Sequence, residues 1–377
     1  MTICIDIRNL AQKNLSGVGI YTKKLIENLL EIDKVNQYKL FYNSKKFPLI
    51  KKYYPNVTYY DFKKSNRLIN LSMKLFNYPK IDKMVDGCDI FFAPNINFFA
   101  FSKNKNIKKI ITIHDISFYN FPEFYSKKSI LWHKIININK ILKHFDYIIT
   151  VSNNTKYDIV RAFNIDESKI KTIYLGTDEP KYNIEESKIR SEIKQISKKQ
   201  YLLNINTTEP RKNIESIIKS FIELKNSGEL KETLLIIAGG AGKSYYKILE
   251  MIEACNYKDD IKILNYISEE EKQYLYQNAK VILFPSFYEG FGLPIIEAQK
   301  YGKPVITSSN SSMSEICNCN SILINPYNIN EMKFAIINLL NDEIYEKYAN
   351  LSLKNSKNFT WENCAINTLQ LFNSLAI

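Results

Sequence analysis

The chain has 377 residues, 45% hydrophobic and 24% charged, the balance of a soluble globular protein long enough for two domains with separate cores. No apolar run is long enough to span a bilayer, and Met1–Asp6 leads straight into a strand pattern with no signal peptide, so a cytosolic location is expected. The formal net charge of +13 is uneven: residues 1–177 hold 29 Lys+Arg against 14 Asp+Glu, whereas 178–377 hold 23 against 25. Such a basic half fits an acidic partner or simply a set of lysine-rich solvated faces. Cys4, Cys88, Cys255, Cys317, Cys319 and Cys364 are scattered, and with only three histidines a zinc site is not expected; free thiols are.

In chain order, residues 2–7 read as a strand. A loop with Ser16, Gly17, Val18 and Gly19 follows, then an amphipathic helix from Ile20 to Leu30 whose apolar face is Leu25, Ile26, Leu29 and Leu30. Strand, glycine loop and helix can receive a phosphate, although glycines near a helix start are common for other reasons. Apolar runs at 38–42 and 57–62 suggest an open α/β sheet. Residues 63–80 mix Leu68, Leu71, Leu75 and Phe76 with Lys63, Lys64, Arg67 and Lys74. That pattern reads equally as a helix lying on an anionic membrane surface and as an ordinary core-facing helix. Strands are expected at 89–95 and 107–113, the second ending in His114-Asp115, where open α/β sheets bind ligands. His133 and His144 read as structural. A strand at 146–151, a helix capped by Ser152 and a run at 171–175 complete this half. Residues 179–200 read as an interdomain linker with one surface helix.

The second half opens with a strand at 201–206 and the loop Thr207-Thr208-Glu209-Pro210-Arg211-Lys212-Asn213 into a helix ending near Lys225. Cations are misplaced at the positive end of a helix dipole, and a bound anion would resolve this; the alternative is a solvated loop. Further strands are expected at 233–238, 261–267, 281–284 and 304–307, and a last helix from Trp361 to Leu375. The stretch from Phe284 to Met313 is the most legible. A buried strand ends at Pro285, a turn holds Glu289, Gly290 and Gly292, and a helix runs to about Tyr301, closed by Gly302. Its residues alone admit a structural turn with two solvated glutamates, or an anion site whose two carboxylates suit a ligand with phosphates and hydroxyls.

Pro285-Ser286, Glu289-Gly290-Phe291-Gly292-Leu293-Pro294, Glu297 and Gly302-Lys303-Pro304-Val305 together resemble the paired-glutamate motif of the retaining GT-B glycosyltransferases, family four. The resemblance extends to Thr112–Phe118 with Phe121-Pro122-Glu123, to Gly176-Thr177-Asp178 and to Glu209–Asn213, and so covers essentially the whole chain. It implies two doubly wound Rossmann-like α/β domains facing a central cleft: an acceptor domain, 1–177, a donor domain, 178–360, and a helix, 361–377, that crosses back.

By the same resemblance Arg211 and Lys212 hold a donor diphosphate and Glu297 the ribose. The backbone of Phe291, Gly292 and Leu293 meets sugar or phosphate, Ile267 lies where backbone reads the base, and Gly17 and Gly19 form a cleft loop. Glu289 and His114 flank the donor sugar. Asn206 and Thr207 depart from the family pattern, as do Ser314 and the 316–320 loop. Family enzymes retain anomeric configuration, and the acceptor attacks from the leaving group's side while a phosphate oxygen takes its proton. The chain has no Asp-x-Asp, so neither metal nor cofactor is expected.

The implied partners are a nucleotide-sugar, GDP-mannose being favoured over UDP- or dTDP-sugars, and a saccharide or lipid-linked acceptor in surface polysaccharide synthesis. A peripheral position at an anionic membrane surface is compatible. Two rivals remain at this point. A basic nucleic-acid-binding protein would explain the charge, but no recognition motif is present and no nucleic-acid partner is expected. A dinucleotide-dependent dehydrogenase lacks its Gly-x-Gly-x-x-Gly.

Overall fold

Short apolar runs, buried on both faces, alternate with amphipathic helices along the chain, and this pattern yields parallel sheets. A computed structural model describes residues 1–11, 15–43, 50, 52–62, 66–103 and 106–375. The chain forms two units, Met1–Gly176 with Thr360–Ile377, and Thr177–Phe359.

The first unit holds a seven-stranded parallel sheet of β1 (Thr2–Asp6), β2 (Gln37–Tyr42), β3 (Val57–Asp61), β4 (Ile90–Ala93), β5 (Lys108–Ile113), β6 (Tyr147–Thr150) and β7 (Ile170–Thr172). Their order is β3-β2-β1-β4-β5-β6-β7. Its principal helices are α1 (Gly17–Ile32), α2 (Asn66–Phe76), α3 (Lys127–Ile136), α4 (Ile138–His144) and α5 (Asn153–Phe163). Phe91, Ile111, Ile113 and Ile148 lie at the centre of one face's core.

The second unit holds a six-stranded parallel sheet of β8 (Tyr201–Ile205), β9 (Leu234–Ala238), β10 (Ile261–Ile263), β11 (Val281–Phe284), β12 (Val305–Ser308) and β13 (Ile322–Ile324). The order is β10-β9-β8-β11-β12-β13. It is wound with α6 (Ser191–Ile196), α7 (Ile214–Asn226), α8 (Glu269–Asn278), α9 (Leu293–Lys300), α10 (Ser311–Cys317) and α11 (Asp342–Ser356). The final helix, α12 (Trp361–Ser374), packs on α1 of the first unit, with Phe372 edge-on to Phe92 of β4 at 5.4 Å. Both sheets are doubly wound, and strand order reverses between β1 and β4 and between β8 and β11. Loops leaving the carboxyl ends of those strands are where such sheets bind ligands.

Several local expectations are corrected. Residues 179–200 are not a free linker: α6 is anchored by buried Ile189, Ile193 and Ile196, and the Arg190 guanidinium meets the Glu271 carboxylate at 2.6 Å. The strand expected to reach Ile267 stops at Ile263, because Asn265 adopts a left-handed conformation, φ 43°, and turns the chain. Gly17 and Gly19 sit in the first turn of α1 rather than in a loop before it. Helix α2 buries Ile69 and Met73 and leaves Leu68, Leu71, Leu75 and Phe76 exposed; Lys63 and Lys64 lie outside the described residues. Among the described residues no helix is long and apolar enough to cross a membrane.

Candidate active site

At the switch point of the second sheet, the loop after β8 meets the turn after β11. Asn213, in a left-handed conformation at the start of α7, donates to the carbonyls of Pro285 and Pro326 at 3.1 and 2.7 Å, locking one loop to the other. The Phe287 N–H donates to the Arg211 carbonyl at 2.8 Å. Within this frame the Arg211 and Lys212 side chains meet Glu289. Arg211 Nη1 donates to Glu289 Oε2 at 2.6 Å and to the Tyr288 carbonyl at 2.9 Å, and Lys212 Nζ pairs with Glu289 Oε1. The ammonium of Lys212 also lies over the Phe284 ring, 5.4 Å from its centroid.

The anion that the two misplaced cations called for is therefore, in this structure, a carboxylate of the chain itself. Burial pushes the Glu289 carboxyl up, but Arg211 and Lys212 outweigh it and bring it down to about 2. Glu289 is thus ionised at neutral pH and cannot serve there as a proton donor. Its two oxygens offer roughly four acceptor positions, so both cations leave room for a ligand hydroxyl.

The turn itself is held by residues that the sequence reading did not single out. Ser311 Oγ accepts from the Glu289 N–H at 3.1 Å, and Ser312 Oγ lies within reach of the carbonyls of Glu289 and Phe291, at 2.8 and 2.9 Å. Asn310 Nδ2 donates to the Phe287 carbonyl at 2.8 Å. A polar run directly after an apolar strand, Ser308 to Ser312, was the available signal.

Gly292, at φ 108°, precedes α9, and no side chain caps that helix. Phe291, Gly292 and Leu293 thus sit at the positive end of its dipole. Three buried side-chain atoms of these loops, Asn206 Nδ2, Ser286 Oγ and Asn310 Oδ1, have no hydrogen-bond partner among the described residues.

Glu297, eight positions after Glu289, faces α8 rather than Glu289. Its carboxylate accepts from Lys272 Nζ at 2.8 Å and from the Tyr276 hydroxyl at 3.1 Å. Burial disfavours the Lys272 ammonium, yet Glu297 and Glu269 hold its pKa well above the ordinary lysine value. Lys272 and Tyr276 escaped the sequence reading, although an i,i+4 pair on one helix face was visible. Ile267 is half-buried and lies between two fixed points: Arg190 donates to the Tyr266 carbonyl at 3.2 Å, and a Ser268–Glu271 capping box starts α8.

In the first unit, His114 follows β5 and is half-buried, edge-on to Tyr21 at 4.9 Å. Burial lowers its pKa, with the Pro94 carbonyl and Asp115 opposing, so the imidazole is neutral at pH 7. Its Nε2 lies 3.0 Å from the Pro94 carbonyl, which only accepts; the proton therefore sits on Nε2 and leaves Nδ1 as an acceptor. Gly17, the first residue of α1, is open to solvent, whereas a Cβ on Gly19 would press on Leu15 at 3.0 Å. His133 stacks on Phe118 at 3.7 Å, a packing role.

These two units match two known families in succession. Residues 16–180 match Glycosyltransferase Family 4, and residues 183–358 match Glycosyl transferases group 1. Among curated relatives, O-antigen chain mannosyltransferase B of Escherichia coli is 27% identical over 96% of this chain and 97% of its own length. Among solved structures, sucrose-phosphate synthase from Thermosynechococcus elongatus superposes with a TM-score of 0.76 at 18% identity, over 99% of this chain and 98% of that one. Anabaena HepE in complex with UDP-glucose gives 0.74 at 16% identity, over 99% of this chain and all of that one. With two Rossmann-like parallel sheets in one chain, these likenesses establish the GT-B fold.

Proposed function

Because this chain belongs to glycosyltransferase family four, among the group 1 glycosyl transferases, and is a hexosyltransferase, we propose that it moves mannose from GDP-mannose to a saccharide acceptor carried on a lipid, with retention of configuration, in surface polysaccharide synthesis at the cytoplasmic face of a membrane. The observation that carries the reading is the ionised Glu289 held by Arg211 and Lys212 beside the uncapped start of α9.

On this reading the second unit takes the donor. Its diphosphate lies against Arg211, Lys212 and the backbone of Phe291, Gly292 and Leu293, its ribose diol meets Glu297, and its base lies near Ile267. Positive charge develops at the anomeric carbon as the bond to phosphate breaks, and the Glu289 carboxylate stabilises it. A proton leaving the acceptor hydroxyl goes to a phosphate oxygen, consistent with a Glu289 pKa of about 2. His114 in the first unit offers Nδ1 to a sugar hydroxyl and carries no charge. Cations and helix dipole meet the diphosphate charge, so the reaction needs no metal.

The mannosyltransferase name of the relative from Escherichia coli supports mannose, while the UDP-glucose in HepE favours a second reading, a UDP-sugar donor. A thermal-shift screen of GDP-, UDP-, dTDP- and ADP-sugars separates them. A ligand at 100 times its Kd adds about 2.7 kcal/mol to the native state. GDP-mannose is expected to raise Tm most; a UDP-sugar shift without one from GDP-mannose would overturn the assignment of the base.

A further inference from the structure

Helix α2 has two apolar faces, and the fold uses one. Ile69 and Met73, each 3% exposed, face the core. Leu68, Leu71 and Leu75, at 67%, 55% and 62%, form a second stripe centred about 150° around the helix, and Phe76 at its end is 74% exposed. Lys74 Nζ donates to the Ile135 carbonyl at 2.7 Å, tying α2 to α3. On α3, Leu131, Trp132 and Ile135 are exposed and interleaved with exposed Lys127, Lys128 and Lys134.

Both helices lie in segments that carry cations and no carboxylate: residues 66–80 contain three Lys+Arg and residues 126–145 contain five Lys, with no Asp or Glu in either. A cavity of about 320 Å³ opens beside them, lined by Lys74, Asn77, Phe98, Phe99, Lys140 and His144. It combines cations with aromatic walls.

We propose that the α2–α3 face of the first unit is a docking surface for an anionic phospholipid bilayer, with Leu68, Leu71, Leu75, Leu131 and Trp132 entering the interface and the lysines at headgroup level. A face that alternates large apolar side chains with unopposed cations is matched by a surface that is apolar beneath and anionic above. A second copy of the chain would cover the apolar stripe but bring the same cations face to face, since a two-fold interface pairs a patch with itself. Nucleic acid would use the lysines and leave the leucines wet. The surface goes beyond the transfer chemistry and does not depend on it: a chain that binds vesicles but turns over no sugar leaves it standing.

The test uses the full chain with vesicles of equal parts phosphatidylglycerol and phosphatidylcholine, against phosphatidylcholine alone, at low salt. The native protein should sediment with the anionic vesicles only. Leu71→Ser with Leu131→Ser, which leaves charge unchanged, and Lys128→Glu with Lys134→Glu should each lower partition by about tenfold or more. Lys198→Glu with Lys199→Glu, exposed in the second unit, should not. All are surface sites, so unchanged thermal unfolding shows that the variants are folded. Equal recovery in the supernatant with both vesicle types would overturn the proposal. So would a self-association abolished by the leucine variant in the absence of vesicle binding, or duplex DNA binding lost only with the lysines.

Discussion

Replacing Glu289 by Gln keeps the size of the side chain and removes the charge that two cations share. Its carboxyl falls from its ordinary value of 4.5 to about 2 in the folded chain. At 1.36 kcal/mol per pKa unit that difference is on the order of 3 kcal/mol of native-state stability at pH 7. The sign follows from the depressed value: the contribution is fully present above about pH 4.5 and is lost as pH falls from there through about 2. For a domain of this size the loss corresponds to roughly 6 to 12 °C in Tm. The same change takes the carboxylate charge away from Lys212 and Arg211, so the local charge of the trio rises from +1 to +2. Pyrophosphate and GDP should therefore bind the variant at least as tightly as the native protein, and should restore more of its stability than they add to the native chain. Turnover should nevertheless fall by about tenfold or more, because on the proposed reading the charge that stabilises the anomeric carbon is gone. Thermal unfolding at pH 7 and at about pH 3 with and without pyrophosphate, together with kcat, reads all three. A Glu289→Gln protein with native Tm at pH 7, or with weakened pyrophosphate binding, would refute the shared-charge account.

Glu297→Gln should raise the donor KM by about tenfold, roughly 1.4 kcal/mol of binding, with a smaller fall in kcat, since the ribose is unchanged in the reaction. Lys272→Met should raise KM in the same direction by releasing the Glu297 carboxylate; an unchanged KM would reduce Lys272 to a tie between α8 and α9. Transfer activity should survive EDTA in full, and loss with EDTA followed by rescue with magnesium or manganese would show that the two cations do not meet the diphosphate charge alone.

The α/β class and the two parallel sheets were legible because buried parallel strands are written as short unbroken apolar runs. Leu234–Ala238 and Val281–Phe284 are buried at every position and were bounded within one residue. What failed were places where a short apolar run meets a single turn-forming residue. Ile261–Ile267 read as one strand because its apolar residues continue past Asn265, yet that residue's left-handed backbone ends the sheet. The three-residue β13 carried too little periodicity to register, and 179–200 was misread because three isolated isoleucines in a charged stretch do not announce a buried face.

The glutamates, the cations and the glycine turn were visible as residue types, but their pairing was not, because it joins positions 77 and 78 residues apart. Sequence spacing alone suggested that Arg211 and Lys212 wait for an external anion. The fold instead supplies Glu289, and this changes the chemistry expected of the site. On the proposed reading a diphosphate competes with an internal carboxylate for the same two cations, so that donor binding would redistribute an existing charge pair and not fill an empty basic pocket. That redistribution gives Glu289 two linked states: clamped by Arg211 and Lys212 without donor, and less tightly held when phosphates take part of their charge. The carboxylate is then most available to an electron-poor anomeric carbon when a donor is bound, which couples the presence of substrate to the exposure of the group that stabilises its transition state.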